Sequence, residues 1–232
     1  EGDLYLSFGE MDLNGHKLTV KGKLVQSGGV MKINGGCLNV EGNYYIQTEN
    51  GYSYTASTGS LLMNNEEDRI VVNGSFTMGS NTSSAGKLTA GVLEVKGDVY
   101  QNSYSATDNF LSTDDFKLLL SGKDLQKIKF SSSGSTQSVI ANLEITNESE
   151  EGIEIDYTEI SVSGYLKHNE KKVKGNVRLS GSSTLDSYTF SGGLILPSMT
   201  ISEPLKIGGD LKQNGTVYYK ADVVVGGNYS MS

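Results

Sequence analysis

A short pattern of apolar, glycine and polar positions recurs along the chain. It consists of a β-branched residue, any residue, glycine, a mostly polar residue and then an apolar or aromatic residue. Its eight copies begin at Val20, Val40, Val72, Val95, Val162, Val173, Ile207 and Val225. Their first residues are spaced by 20, 32, 23, 67, 11, 34 and 18 residues, which indicates a unit of about 20 residues with insertions.

Within each copy, apolar and polar residues alternate as they do in a half-buried strand. In the first copy, one face of the predicted strand carries Val20, Gly22, Leu24 and Gln26. Glycine at an inward position indicates a bend or bulge where the interior is crowded, and turn-forming residues follow each copy. Strands and corners repeated at this period predict an all-β fold, a parallel β-solenoid with coils of about 20 residues. We expect it to be right-handed, as most parallel β connections are.

The repeat favours a solenoid over a β-sandwich, because a sandwich has short strands but no consensus at a fixed period. We expect one elongated domain over residues 1–232. Regular coils are predicted in 1–101 and 160–232, and irregular coils or an insertion in 102–159. The 11-residue interval between Val162 and Val173 is too short for a coil, and either a hairpin or two faces of one coil would account for it.

The composition excludes several classes of protein. One Cys and two His rule out a disulfide scaffold and a zinc ribbon or finger. No apolar run approaches the roughly 20 residues that span a bilayer, so no membrane insertion is expected. The net charge of −8 has the wrong sign for a protein that binds nucleic acid. The chain starts at Glu1 with no basic and apolar leader, and we expect it to be a soluble segment of a longer polypeptide.

Two long stretches carry a family resemblance. They are LNGHKLTVKGKLVQSGGVMKINGGCLNVEGNYYIQ at 13–47 and LLLSGKDLQKIKFSSSGSTQSVIANLEITNESEEGIEI at 118–155. Both resemble the Gly-rich repeat regions of large secreted surface proteins of Gram-positive bacteria. The resemblance implies an extracellular, cell-surface stalk or adhesin segment with other modules beside it in a longer chain. It implies no catalytic residues.

Parallel β-helices also include glycoside hydrolases, which need carboxylates that project from a strand face. Here Asp and Glu lie mostly in turn strings typical of solvated corners. Asp98 and Asp210 occupy a slot that holds Asn in other copies, which favours a structural role. His16 and His168 are 152 residues apart without a nucleophile motif, and His168 takes the position of a glutamine in other copies. We therefore predict neither an enzyme nor a bound cofactor.

Tyrosine is the main candidate for contact with a ligand, because exposed aromatic rings stack on sugar faces. Tyr44 and Tyr229 fall in the inward apolar slot and are predicted to lie in the core. The tyrosines predicted in outward or turn positions are Tyr45, Tyr52, Tyr54, Tyr100 and Tyr104. These five are the candidate glycan contacts.

One acidic turn is a candidate weak calcium site. Asn64, Glu66 and Asp68 could supply the carboxylate and carbonyl oxygens that calcium prefers. A loop that faces water is the competing interpretation, because runs of acidic residues are usually solvated.

These observations predict a non-catalytic structural or adhesive repeat segment. Stacked coils form a stiff rod that can hold a distal module and offer a long lateral face for repeated contacts. A glycan-binding module that uses the Tyr-rich turns is the first alternative, with host or cell-wall polysaccharide or glycoprotein as partner. A self-assembling scaffold, in which the coil ends pair with the next copy, is the second.

Overall fold

The computed structural model describes residues 2–134, 136–168, 173–180, 184–186 and 189–232. These residues form strands and turns without any helix, and thus none that is long and apolar enough to cross a membrane. The strands are β1 (Leu4–Leu6), β2 (Glu10–Asp12), β3 (Lys17–Val20), β4 (Leu24–Gln26), β5 (Val30–Lys32), β6 (Cys37–Val40), β7 (Tyr44–Ile46), β8 (Thr48–Asn50), β9 (Ser53–Thr55), β10 (Ser60–Leu62), β11 (Arg69–Val72), β12 (Phe76–Met78), β13 (Val92–Val95), β14 (Val99–Gln101), β15 (Lys117–Leu120), β16 (Gln126–Phe130), β17 (Asn142–Ile145), β18 (Ile153–Val162), β19 (Tyr165–His168), β20 (Val173–Leu179), β21 (Thr184–Asp186), β22 (Thr189–Phe190), β23 (Gly193–Leu196), β24 (Met199–Ile201), β25 (Leu205–Ile207), β26 (Leu211–Gln213), β27 (Val217–Tyr219), β28 (Val223–Val225) and β29 (Tyr229–Met231).

Two long parallel sheets organise the chain. The 11-stranded sheet has the order β1-β4-β7-β12-β14-β16-β18-β20-β23-β26-β29, and the 8-stranded sheet has the order β21-β19-β17-β15-β13-β11-β6-β3. Shorter parallel sheets, β10-β5-β2, β22-β25-β28 and β24-β27, lie between them along the chain. In each long sheet the spatial order follows the chain order, so successive turns of the backbone stack on one another. The fold is all-β and compatible with a β-solenoid.

The length of chain in each turn varies. In the 11-stranded sheet, Leu4 pairs with Leu24 and Leu24 with Tyr44, so the first two turns are equal in length and match the interval from Val20 to Val40. The next turn, from Tyr44 to its partner Phe76, is longer because the antiparallel hairpin β8–β9 is inserted after β7. The last two turns, from β23 to β26 and from β26 to β29, are shorter than the first two.

In seven of its eight copies the repeated motif spans a corner and does not form one strand as the alternation predicts, whereas the copy that starts at Val173 lies within the single strand β20. Val20 ends β3 in the 8-stranded sheet, whereas Leu24 begins β4 in the 11-stranded sheet. Gly22 lies at the bend between them, where its N–H donates to the carbonyl of Gly2 at 3.0 Å. Gly42 donates to Gly22 in the same way at 3.0 Å, and a Cβ added to Gly42 would lie 2.8 Å from that carbonyl oxygen. Glycine is therefore required because the backbones of successive turns touch.

The short 11-residue interval has a topological explanation. The copy that starts at Val162 leads into β19 of the 8-stranded sheet, whereas the copy that starts at Val173 lies in β20 of the 11-stranded sheet. The two copies are therefore two faces of the same turn, the second of the two explanations that the sequence allows. His168 consequently pairs with Ile145 in the 8-stranded sheet. Its predicted equivalence to Gln26 and Gln213 is wrong, because those residues end strands of the other long sheet.

Apolar side chains that point inward form one continuous core. Its largest fully buried members are Tyr44, Phe76, Phe110, Phe116, Phe130 and Phe190. Tyr44 packs edge-on against Phe76 at 5.4 Å between ring centroids, and its hydroxyl donates to Gln26 Oε1 at 2.7 Å. The prediction that Tyr229 lies in the core is wrong. It is 50 % exposed, because β29 is the last strand of its sheet and no further turn among the described residues covers it.

Candidate functional site

A column of outward-facing residues runs across the 11-stranded sheet, perpendicular to its strands. We call it the outer column, and its paired members in β1, β4, β7, β12, β14 and β16 are Tyr5, Val25, Tyr45, Thr77, Tyr100 and Lys129. Each strand places alternate residues on opposite faces of the sheet. Because these six residues pair with one another in register, they all lie on the same, outward face. Tyrosine thus recurs at every second strand over the first five strands.

The hairpin β8–β9 folds over this face of the sheet. Tyr54 on β9 stacks on Tyr45, with ring centroids 4.3 Å apart and planes 21° apart, and β8 contacts β4. Val25 and Thr77 point outward, yet they are only 2 % and 5 % exposed. The tyrosines and the hairpin therefore form a small packed layer outside the main core, which holds the rings in place.

An ion pair lies at one side of this layer. Lys23 pairs with Glu49, and the Tyr54 hydroxyl donates to Glu49 Oε1 at 3.1 Å. The hydrogen bond from Lys23 lowers the pKa of Glu49, while burial, followed by the bond to Glu49, raises the pKa of Tyr54 to about 12. Lys23 Nζ also lies 5.7 Å from the centroid of the Tyr5 ring. At neutral pH the cluster offers one ammonium, one carboxylate and the neutral phenol of Tyr54.

The hydroxyls of the other column tyrosines are tethered. Asn43 Nδ2 donates to Tyr45 Oη at 2.7 Å, and the Tyr100 hydroxyl donates to Asp98 Oδ2 at 2.6 Å. Burial, with a further contribution from Asp98, raises the pKa of Tyr100. Asp98 Oδ1 also accepts the Lys127 backbone N–H at 2.8 Å, across the boundary between turns. The Asn/Asp slot therefore links successive turns.

Two of the predicted glycan contacts lie apart from the outer column. Tyr52 follows Gly51 at the tip of the hairpin and is wholly exposed. Tyr104 lies in the segment after β14, is 45 % exposed, and accepts a hydrogen bond from Gln47 Nε2 at 3.2 Å. The structure brings together Tyr45, Tyr54 and Tyr100 and adds Tyr5, which the sequence argument missed. A signal for Tyr5 existed, because Gly2 and Leu4 are in register with Gly22 and Leu24.

The candidate calcium ligands have different surroundings. Asp68 is only 1 % exposed, and its carboxylate accepts the backbone N–H groups of Gly35 at 2.6 Å, Asn64 at 2.7 Å and Asn65 at 3.1 Å. Asn64 and Glu66 are exposed residues. Asp68 therefore holds the turn to its neighbour, and the use of these residues by calcium stays a prediction.

A cavity of about 180 Å³ lies beside this turn. Its lining includes Asp12, whose two carboxylate oxygens accept from Asn34 Nδ2 at 3.0 and 3.2 Å. Lys32 also lines it and pairs with Glu10 at 2.7 Å. The lining thus holds the carboxylates of Asp12 and Asp68 together with one lysine that is already paired with Glu10.

The outward face of the sheet changes character after β14. Lys127 pairs with Glu154 and Lys129 with Asp156, each at 3.8 Å, and Arg178 pairs with Glu159 at 2.5 Å. These pairs join side chains of different strands, as opposite charges in facing positions do.

The described residues contain no cluster of three or more His, Cys, Asp or Glu side chains that could hold a metal ion. The features that the geometry does offer are aromatic rings, hydroxyls and one ion pair on the face of a sheet. No protein-family model, curated protein or solved structure matches the chain.

Proposed function

We propose that the chain is a right-handed β-solenoid that serves as a structural and adhesive segment of a secreted bacterial surface protein. Its coils are proposed to hold about 20 residues each, the period of the sequence repeat. The observation that carries the proposal is the pair of long parallel sheets, in which each turn of the backbone stacks on the one before it. Such a stack is stiff along its axis and presents the same face over many turns. The resemblance of the repeats to surface-protein regions supports an extracellular location.

We propose a non-catalytic role because Asp68, Asp98 and Asp210 accept hydrogen bonds from backbone N–H groups and so stabilise the turns. Asp68 accepts three backbone N–H groups, and Asp98 links two turns. Asp210, in the same slot as Asp98, accepts the N–H of Asn228 at 2.7 Å. These carboxylates are committed to backbone donors, whereas a glycosidase needs a pair that faces its substrate.

Glycan binding is the second candidate function. It is favoured by the outer column and by the insertions, which follow strands β7, β14 and β16 of the same 11-stranded sheet. In repeat proteins, insertions that leave from one face commonly mark the binding face.

One experiment tests both roles. The purified chain is incubated with insoluble polysaccharides, mucin and bacterial cell walls, and both its depletion from solution and the release of reducing sugar are measured. We expect saturable depletion from at least one material and no sugar release. Absence of depletion from every material would contradict the adhesive role, and sugar release would contradict the non-catalytic one.

A further inference from the structure

We infer that a groove at one edge of the 11-stranded sheet binds a neutral sugar through two adjacent hydroxyl groups. The inference rests on the second candidate function, glycan binding, and gives it a site outside the outer column, on which the hairpin β8–β9 packs. The groove has a volume of about 450 Å³, in the range of sites for small ligands. We call it the edge groove, and its lining includes Ser133, Glu159, Arg178, Ser180, Pro197 and Asn214.

The edge groove lies where long turns of the backbone are followed by short ones. Val99 pairs with Ile128, 29 residues further along the chain. Ile160 pairs with Val177, and Val177 with Leu194, each only 17 residues further along. The lining residues lie on β18 and β20 and in the segments that follow β16, β20, β23 and β26. Because the longer turns carry more chain at this corner, they leave a step beside the shorter ones, and the groove follows this step.

An arginine and a glutamate on neighbouring strands form the polar wall of the edge groove. Arg178 Nε donates to Glu159 Oε1 at 2.5 Å, and the two side chains remain 31 % and 25 % exposed. Within the described part of the chain, the terminal nitrogens of Arg178 bond to no other residue. A guanidinium beside a carboxylate suits two adjacent hydroxyls, because the guanidinium donates to their oxygens and the carboxylate accepts their protons.

The charges of the edge groove favour a neutral sugar over an acidic one. Among its described lining residues, Arg178 is the one cation and Glu159 the one anion. An acidic ligand would be attracted by Arg178 but repelled by Glu159, and these two groups lie next to each other. A neutral sugar can use both as hydrogen-bond partners. The exposed amide of Asn214 and the ring of Pro197 supply a further polar group and an apolar surface.

A buried hydroxyl beside the edge groove lacks a partner. Ser161 is 1 % exposed, and its Oγ has no hydrogen-bond partner among the described residues. Its backbone N–H donates to Ser133 Oγ at 2.9 Å, and it pairs in register with Arg178, so its side chain lies on the same face of the sheet as Arg178. Buried polar atoms are rarely left unpaired. A ligand hydroxyl, or a water held by the ligand, would supply the partner at this point.

Titration of the full chain followed by ligand-observed NMR tests the kind of ligand. The probes are the methyl glycosides of glucose, galactose and mannose, together with the uronic acid of each. A fully O-methylated form of each glycoside is the control, because it has no hydroxyl to donate. We expect saturable binding of at least one neutral glycoside, and binding at least about fivefold weaker for its uronic acid and its O-methylated form.

Variants locate the contact. Arg178→Lys keeps the charge but loses the planar fork, and it should weaken binding of the neutral glycoside about tenfold. Glu159→Gln should also weaken it, and should reduce the difference between the neutral sugar and its uronic acid, because the repelling carboxylate is gone. Arg69→Lys is the matched control, since Arg69 pairs with Glu94 on neighbouring strands of the 8-stranded sheet, and it should bind as the parent does.

A further variant decides the matter should Arg178→Lys fail to fold. Asn214 is exposed and lines the groove, so Asn214→Ala leaves the core intact. It should weaken binding about threefold, the loss that corresponds to one hydrogen bond. Unchanged affinity in this variant, or in a folded Arg178→Lys variant, would overturn the edge groove as the site. Tighter binding of a uronic acid than of its neutral sugar would overturn the class of ligand.

Retention on polysaccharide separates this inference from the broader one. Retention that is lost in Arg178→Lys and kept in Arg69→Lys would support the edge groove. Retention that survives Arg178→Lys but is lost in Tyr52→Ala or Tyr104→Ala would overturn the groove and leave glycan binding intact. No binding of any glycoside, together with no retention on any polysaccharide, would overturn both.

Discussion

The outward face of the 11-stranded sheet differs between its first five strands and the three that follow. From β1 to β14 the outer column alternates tyrosine with small residues, and the hairpin β8–β9 packs against it. From β16 to β20 the same face carries ion pairs such as Lys129–Asp156. The inward face does not change in this way, because Tyr44 and Phe76 in the first region and Ile128 in the second are all fully buried.

The backbone hydrogen bonds and the apolar core stabilise the stack of turns, whereas the outward side chains determine the chemistry of its surface. The backbone ladder and the apolar core are common to both regions, whereas the outward side chains differ between them. The outward positions are free to differ in chemistry.

The largest predicted effect concerns the glycine corner that underlies both regions. Gly74→Ala, before β12, and Gly122→Ala, before β16, should each reduce the free energy of unfolding by about 3 kcal/mol, because the new Cβ would lie 2.8 Å from the carbonyl carbon of Gly42 or 2.4 Å from the carbonyl oxygen of Lys96 in the turn before. Gly134→Ala is the control and should cost less than about 0.5 kcal/mol, since only the side chain of Gln137 is near. Urea unfolding measures all three, and tolerance of either corner variant would show that the two regions do not share this constraint.

A fall in pH should lower the free energy of unfolding through His168, which lies outside the aromatic region. Burial lowers the pKa of His168 from 6.5 to about 4, and the ring packs edge-on against Phe190 at 5.3 Å. The unfolded chain binds a proton at this residue below pH 6.5, whereas the folded chain does so only below about pH 4. Stability from this residue is therefore complete above pH 6.5 and falls by up to about 3 kcal/mol as the pH drops to 4.

The His168→Gln variant isolates that contribution. Its unfolding free energy should depend less steeply on pH between 6.5 and 4 than that of the parent, while both share the acid dependence of the carboxylates. Parallel curves for the two proteins over this range would contradict the assignment.

A smaller effect distinguishes the aromatic layer. In a double-mutant cycle of Tyr45→Ala and Tyr54→Ala, we expect a coupling of about 1 kcal/mol in unfolding free energy from the stacked rings. The coupling should persist in about 0.5 M salt, because packing is not screened. A coupling near zero would mean that the hairpin does not rest on the column.

The smallest effect belongs to the charged region. The cycle of Lys129→Ala and Asp156→Ala should give a coupling below about 0.5 kcal/mol, because both side chains are more than a third exposed and their charged atoms are 3.8 Å apart. The same salt should remove most of it. A coupling larger than that of the tyrosine pair would reverse the comparison between the regions.

Much of the fold follows from the sequence, because the repeated glycine marks a contact between backbones that only glycine permits. The long interval between Val40 and Val72 likewise indicates an insertion, which is the hairpin β8–β9. The corner within the motif could not be predicted from the sequence, because apolar and polar residues continue to alternate through the bend at Gly22 and so resemble a single strand. The same motif also serves a second corner at Val162, and only the pairing of strands reveals this.

The candidate site is less accessible to sequence reasoning. Tyr45 and Tyr54 meet because a hairpin folds back on the sheet, and no local pattern specifies that contact. Asp68 belongs to an acidic run typical of a solvated loop, yet it is buried because three backbone N–H groups converge on its carboxylate. Tyr5 could have been predicted from the sequence, because β1 pairs in register with β4.

The stacking of turns is the central claim, and distances between spin labels test it most directly. With Cys37→Ser as background, labels at Tyr5→Cys and Lys129→Cys lie on strands five spacings apart, and labels at Tyr5→Cys and Lys212→Cys lie on strands nine spacings apart. Pulsed electron double resonance should give about 24 Å for the first pair and about 43 Å for the second. Similar distances for the two pairs would contradict a chain that advances by one strand with every turn.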